Sequence, residues 1–264
     1  MTVLTIAIVL LAAGVYVLTR QHIVVLTAGC ESDGGGGNRV VMLDTGQAAI
    51  AATIAGVATS RKLPAHAVTI AYATAWQESH LQDLDYGTLD SIGVFQQRPS
   101  EGWGSPKELI DPVYATGKFF AALVKVPGYL RLPTYVAAQD VQHSADGSAY
   151  TNYADQAAWM SGPFTGGTPH AVWCWYPRDS ATSPQITSLR QELTHTFGRL
   201  DVRQSSVRVR YVAAGWAVAS WLVTHATTYG LTNVSFAGYQ WSVSAGNRGW
   251  THDPSAPRGS VELR

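Results

Sequence analysis

One carboxylate in this chain stands where a carboxylate is costly. Val68, Ala71 and Ala75 recur at helical spacing and form a small apolar stripe that can press on a core. Glu78 is the next residue on that stripe. An inward-facing carboxylate destabilises a fold unless it is partnered or protonated. Glu78 also closes its helix, at the negative end of the helix dipole, which disfavours ionisation further. A carboxylic acid kept neutral near pH 7 can protonate a leaving oxygen, the step that glycosidic cleavage requires. The competing structural use of Glu78 is an ion pair with Arg98.

After Glu78 come acidic and glycine-containing turns, then DSIGVFQQRPSEGWG, Asp90 to Gly104. A helix-closing Glu-Ser pair followed by G-x-x-Q-x-x-P resembles the lysozyme-like lytic transglycosylases and goose-type lysozymes. The matching residues are Glu78, Ser79, Ser91, Gly93, Gln96 and Pro99. The longer string is similar to a secreted or membrane-anchored bacterial branch in which D-S-x-G-x-F-Q-Q-R-P-S-x-G-W-G recurs. The resemblance covers about residues 40–165. It implies Glu78 as catalytic acid and base, with Ser79, Ser91, Gly93, Gln96 and Gln97 on the substrate side. Gln96 has a plainer alternative as a loop brace. Phe95 and Trp103 either stack on sugars or pack in the core. In the same branch an A-A-Q-x-V-Q-x-S-A segment followed by Tyr lines the cleft. Here it supplies Gln139, Gln142 and Tyr150, and the two glutamines share a helix face at i and i+3.

In the transglycosylases resembled here, a single Glu acts first as acid and then as base on the 6-hydroxyl of the sugar itself. A hydrolase needs a second carboxylate. Asp83, Asp85 and Asp90 are available in the following loop, although Asp90 is better placed as a loop cap. Transglycosylation of peptidoglycan glycan strands is the preferred expectation, and hydrolysis stays open. The reading from a different class is a non-catalytic lysozyme-fold scaffold of a cell-envelope assembly.

The elements that must position these residues read as helices. Asp44 or Thr45 caps a helix through Gln47, Ile50, Ile54 and Val57, stopped at Pro64. The Glu78 helix runs from Ala65 to about Leu81. Asp111-Pro112 opens another, with proline at the first helical position. Further helices span about 134–143 and 150–161. Beyond Gly166 to Pro184, which reads as a linker loop, a small unit begins. It carries a helix over 186–200, an alternating strand over 207–212, a helix over 213–229 and a hairpin about Gly238. The expected fold class is therefore mainly α. A lysozyme-like all-α domain over 40–165 precedes a small α+β C-terminal module over 185–264, a candidate contact for an envelope protein partner.

The N-terminus reads as a transmembrane helix over residues 1–29, a signal anchor at the cell membrane, with secretion after cleavage as the alternative. Residues 30–39, containing GGGG, read as a flexible linker to the folded part. Two cysteines in an exported chain without a metal motif predict a disulfide between Cys30 and Cys174. Lipidation of Cys30 in TAGC is the competing use. A formal net charge of zero gives no field for polyanions, so no nucleic-acid partner is expected. No cofactor motif and no metal-ligand cluster is visible. Charged residues make up 14% against a usual ~25%, and there are nine tryptophans. That balance suits a surface that stacks on uncharged sugars, or a Trp-rich core.

Overall fold

The computed structural model describes residues 28–36, 39–144, 147–177 and 183–264. The chain opens on a strand, β1 (Gly29–Asp33), paired antiparallel with β2 (Val40–Leu43). Helices α1 (Thr45–Ser60) and α2 (Ala65–Ser79) follow. Asp44 and Gln47 exchange backbone and side-chain hydrogen bonds at 2.8 and 3.0 Å, a capping box that starts α1. A second bond from Gln47 Nε2 reaches the His80 carbonyl at 3.0 Å and ties the start of α1 to the end of α2. Alanines dominate both helices, so their backbones approach closely, and the Tyr72 hydroxyl bonds the Ala51 carbonyl at 2.8 Å.

The short α3 (Pro106–Leu109) leads into α4 (Pro112–Leu123), where the Asp111 side chain caps the first amides. Next come α5 (Thr134–Gln142), a 3-10 segment over Gly147–Tyr153, and α6 (Ala154–Phe164). Strand β3 (Val172–Trp175) then returns to pair with β1 and completes a three-stranded sheet of order β2-β1-β3. The C-terminal half carries α7 (Ile186–Phe197), α8 (Val212–Thr224) and α9 (Ala226–Tyr229). Around them runs an antiparallel six-stranded sheet of order β4-β5-β9-β6-β7-β8. Its strands are β4 (Asp201–Val202), β5 (Ser206–Arg208), β6 (Asn233–Phe236), β7 (Tyr239–Ser242), β8 (Thr251–His252) and β9 (Ser260–Leu263).

The expected mainly α architecture is therefore corrected to mixed α+β, with two antiparallel sheets. The all-α reading of the first domain fails on the sheet β2-β1-β3, whose strands β1 and β3 come mostly from segments expected as linkers. Residues 30–39 hold most of β1, and 166–184 hold β3. Period-2 alternation is hidden in these strands because both faces are apolar. In β2, Val41 and Leu43 are buried while Val40 and Met42 are exposed. In VWCW, buried Val172 and Cys174 alternate with half-buried tryptophans. The anchor expected over 1–29 falls, for residues 1–27, outside the described residues. Among the described residues no helix is long and apolar enough to cross a membrane.

Cys30 and Cys174 face each other across β1 and β3 and form a disulfide. Both are fully buried. The seam is continued by the Trp241 indole, which donates to the Cys174 carbonyl at 2.8 Å, and by the Tyr176 hydroxyl, which donates to the Val223 carbonyl at 2.8 Å. One buried apolar cluster takes residues from α1 and α2 as well as from α7, α8 and β6, so the two halves share a core.

Candidate active site

Helix α2 ends abruptly. His80 and Leu81 both adopt left-handed backbone (φ 55° and 57°), and the His80 amide bonds back to the Trp76 carbonyl. Glu78 is thus fixed in the last turn. The Ser79 hydroxyl bonds the Val94 carbonyl at 2.7 Å and takes the Gln82 amide at 3.2 Å. Through it the helix end is pinned to the loop that follows.

The loop braces itself. Ile92 and Gln97 exchange both backbone hydrogen bonds at 3.1 Å. Gly93 turns between them with φ 76°, and a Cβ there would stand 2.2 Å from the Leu109 carbonyl oxygen, so only glycine fits. Gln96, also left-handed, donates to the Tyr86 and Gly93 carbonyls at 3.2 Å. Gln97 is buried and donates to the Ala115 carbonyl at 3.3 Å. Ser91 is buried, its amide bonded to the Thr88 carbonyl. Asp90 accepts from Arg98 Nε at 2.7 Å and from the Ser100 amide at 2.8 Å. These bonds, the Ser100 amide foremost, hold the exposed Asp90 carboxyl down at about 2. Arg98 pairs with Asp90 and Glu101, which removes it as an ion partner for Glu78.

Glu78 is reached by two side chains from distant helical segments. The Tyr150 hydroxyl donates to Glu78 Oε1 at 2.6 Å. Gln142 favours the ionised form of the same carboxyl, and its Nε2 donates to the Phe95 carbonyl at 2.8 Å. Burial pushes the Glu78 carboxyl above its ordinary value, against the pull of these two side chains. Its place at the helix C-terminus works in the same direction as burial. In the loop, burial raises the Asp83 carboxyl to about 6, with Asp111 and Asp85 adding repulsion. Much of the Asp83 surface is nonetheless open to solvent, so water screens that repulsion.

The structure therefore gathers Glu78, Gln142 and Tyr150 at one point. Ser79, Ser91, Gly93, Gln96 and Gln97 shape the backbone that frames it. Phe95 is a correction: its ring is fully buried and stacks on Phe119 at 4.5 Å, so it serves the core and not a sugar. Trp103 is partly buried against the same core, its carbonyl within 3.5 Å of the Tyr114 hydroxyl. Gln139 turns away and exchanges hydrogen bonds with Ser144 to close the end of α5. Sequence reasoning missed an aromatic group at the end of α2. Trp76 stacks on Tyr153 at 6.0 Å, and His80 stands edge-on to both. Tyr153 lies one 3-10 turn from Tyr150, a spacing that would have placed it on the same face.

A half-buried, hydrogen-bonded carboxylic acid at the edge of an exposed polar loop can act as a proton donor and, once ionised, as a base. No family model matches the chain, and no curated protein matches it significantly.

Proposed function

We propose that this protein cleaves the β-1,4 glycosidic bond of peptidoglycan glycan strands as a lytic transglycosylase, with Glu78 as its one catalytic carboxyl. The observation that carries the reading is the half-buried Glu78 carboxyl held by Tyr150 at the end of α2. The DSIGVFQQRPSEGWG string supports it independently. In the first step neutral Glu78 gives its proton to the glycosidic oxygen as the C1–O bond breaks. In the second, its carboxylate takes the proton of the sugar's own 6-hydroxyl while that oxygen bonds to C1. The product is a 1,6-anhydro sugar, and Glu78 is returned to its acid form. Tyr150 and Gln142 orient the carboxyl and favour its ionised state, which this second half-reaction uses.

Asp90 is a poor second carboxylate because Arg98 and Ser100 occupy it. Asp83 is the residue through which hydrolysis would run, since its raised carboxyl sits in the loop after Glu78. The disulfide supports action in an oxidising, extracytoplasmic compartment, where peptidoglycan is found. Purified peptidoglycan incubated with the protein, followed by mass analysis of the released muropeptides, tests the reading. Anhydro-ended products are expected. Reducing-end products would replace transglycosylation by hydrolysis, and no products would leave a non-catalytic scaffold.

A further inference from the structure

Two of the tryptophans that do not enter the shared core completely, Trp173 and Trp250, meet at the seam between the halves. With Asp33, Thr168, His170 and Arg248 they line a cavity of about 400 Å³. That volume is within the ~300–1,000 Å³ of small-molecule sites. No residue of the Glu78 site contributes to it. The first half supplies Asp33, Thr168, His170 and Trp173, and the second supplies Arg248 and Trp250, so the cavity exists only while the halves are docked.

Its walls are held in place. The Trp250 indole N–H donates to the Val172 carbonyl at 2.7 Å, and its ring stands edge-on to Trp216 at 5.1 Å. His170 is in the left-handed region (φ 46°), which a non-glycine residue enters at some cost, and it stacks on Tyr239 at 4.2 Å. Gly249 lies flat on the Trp173 indole, where a Cβ would come to 3.0 Å of the ring. The polar groups are not fully occupied. Asp33 Oδ1 takes the Gly35 and Gly36 amides at 2.9 and 3.3 Å, and Oδ2 has no partner among the described residues. Arg248 Nε donates to the Ala245 carbonyl, while its terminal nitrogens have no partner among the described residues. The Trp173 indole N–H is buried with no hydrogen-bond partner among the described residues.

We propose that this cavity is a second glycan site, taking a neutral N-acetylated sugar ring outside the cleavage cleft. Indole rings give an apolar platform for the C–H face of a pyranose, while one carboxylate and one guanidinium flank it to meet hydroxyl and amide groups. The two charges cancel formally. A strongly anionic ligand would meet Asp33, and a cationic one Arg248. An acyl chain would desolvate both charges without pairing them. The inference does not depend on Glu78 being catalytic.

Full-length protein titrated with chitotetraose, and followed by the ¹H–¹⁵N indole signals of its tryptophans, tests the proposal. Saturable shifts of Trp173 and Trp250 are expected, and they persist in Glu78→Gln. Arg248→Ala changes an exposed side chain, and Asp33→Asn keeps the Oδ1 acceptor of the turn. Each should raise the Kd read at those two signals about tenfold, the loss expected of one charge-assisted hydrogen bond. Shifts confined to Trp76, in the helix that carries Glu78, would overturn the second site while leaving the cleft reading intact. Unchanged affinity in both variants would also overturn it. Muropeptide release, measured separately, decides the cleavage reading whatever the indole signals do.

Discussion

The Glu78 cleft and the disulfide seam are built by opposite means. The frame of the cleft is knitted by short-range bonds: Ser79 to Val94, Asp90 to Arg98, Gln96 to Gly93. Tyr150 and Gln142 come from far along the chain. The seam is almost all long-range. Cys30 and Cys174 are 144 residues apart, and Trp241 and Trp250 reach back to the carbonyls of Cys174 and Val172. A short-range frame forms at little loop-closure entropy, and can therefore hold a half-buried carboxyl that opposes folding. A long-range seam must close most of the chain, and here a covalent bond assists it. The difference separates a locally braced site, to which the proposed chemistry is assigned, from a seam closed across most of the chain.

The largest expected effect falls on the cleft. Glu78→Gln keeps the shape of the side chain, removes the proton it would donate, and relieves a half-buried carboxyl. Muropeptide release should drop by at least ~10²–10⁴, the worth of a positioned general acid. The melting temperature should not fall. Retained cleavage in this variant would break the assignment of chemistry to this region.

The next effect falls on the seam. Replacing Cys30 and Cys174 together by alanine frees a loop of this length, for which the chain-entropy picture gives ~5 kcal/mol as an upper figure and measured cases run to about 2–4 kcal/mol. Denaturant unfolding of oxidised wild type and the double variant measures it. Below the lowered melting temperature, cleavage should persist, because the bridge contributes no residue to the Glu78 site. Activity lost from a protein still folded would show that the two regions are not separable.

Tyr150→Phe tests the long-range part of the cleft itself. The ring is buried, and Phe fills the same volume. The missing hydroxyl withdraws a hydrogen bond that favours the ionised carboxyl, so Glu78 is pushed higher still. The acid form then survives to higher pH, and the alkaline limb of the pH–rate profile moves upward. Maximum rate should fall roughly fivefold, for a bond worth ~1 kcal/mol. A limb that stays in place would mean that Tyr150 does not act on Glu78.

How much of this was legible follows the same division. The Glu78 stripe, the capping residues Asp44 and Asp111 and the glycine turn at Gly93 are set by local spacing and backbone sterics, so the sequence displays them. The three-stranded sheet was hidden for a physical reason. β2 and β3 are four residues long and apolar on both faces, and β1 lies between an apolar run and GGGG. Composition marks the β1 and β3 segments as linkers, and only the pairing of Cys30 with Cys174 pointed to their meeting. Phe95 shows the limit inside the motif. The string fixes its type, while its direction was decided by Phe119, a packing partner 24 residues on.

The smallest effect sharpens the comparison most, because it asks whether the cleft loop stores instability at neutral pH. Burial and the charges of Asp111 and Asp85 raise the Asp83 carboxyl from its ordinary 3.8 to about 6. A carboxyl that binds its proton more tightly in the folded state stabilises the fold most below about pH 4. That stability is lost as pH rises toward 6 and stays lost above it. Asn cannot ionise, so Asp83→Asn should match wild type below pH 4 and exceed it at pH 7.5. Solvent reaches this residue, so the gain should be ~1 kcal/mol or less. Urea unfolding of both proteins at the two pH values reads it directly. An equal loss of stability at both would mean that Asp83 serves as a hydrogen-bond acceptor in the loop, not as a misplaced charge. Run alongside, muropeptide analysis of the same variant should still yield anhydro ends. Reducing-end products that the wild type releases and the variant does not would make Asp83 a second working carboxylate and turn the proposed chemistry toward hydrolysis.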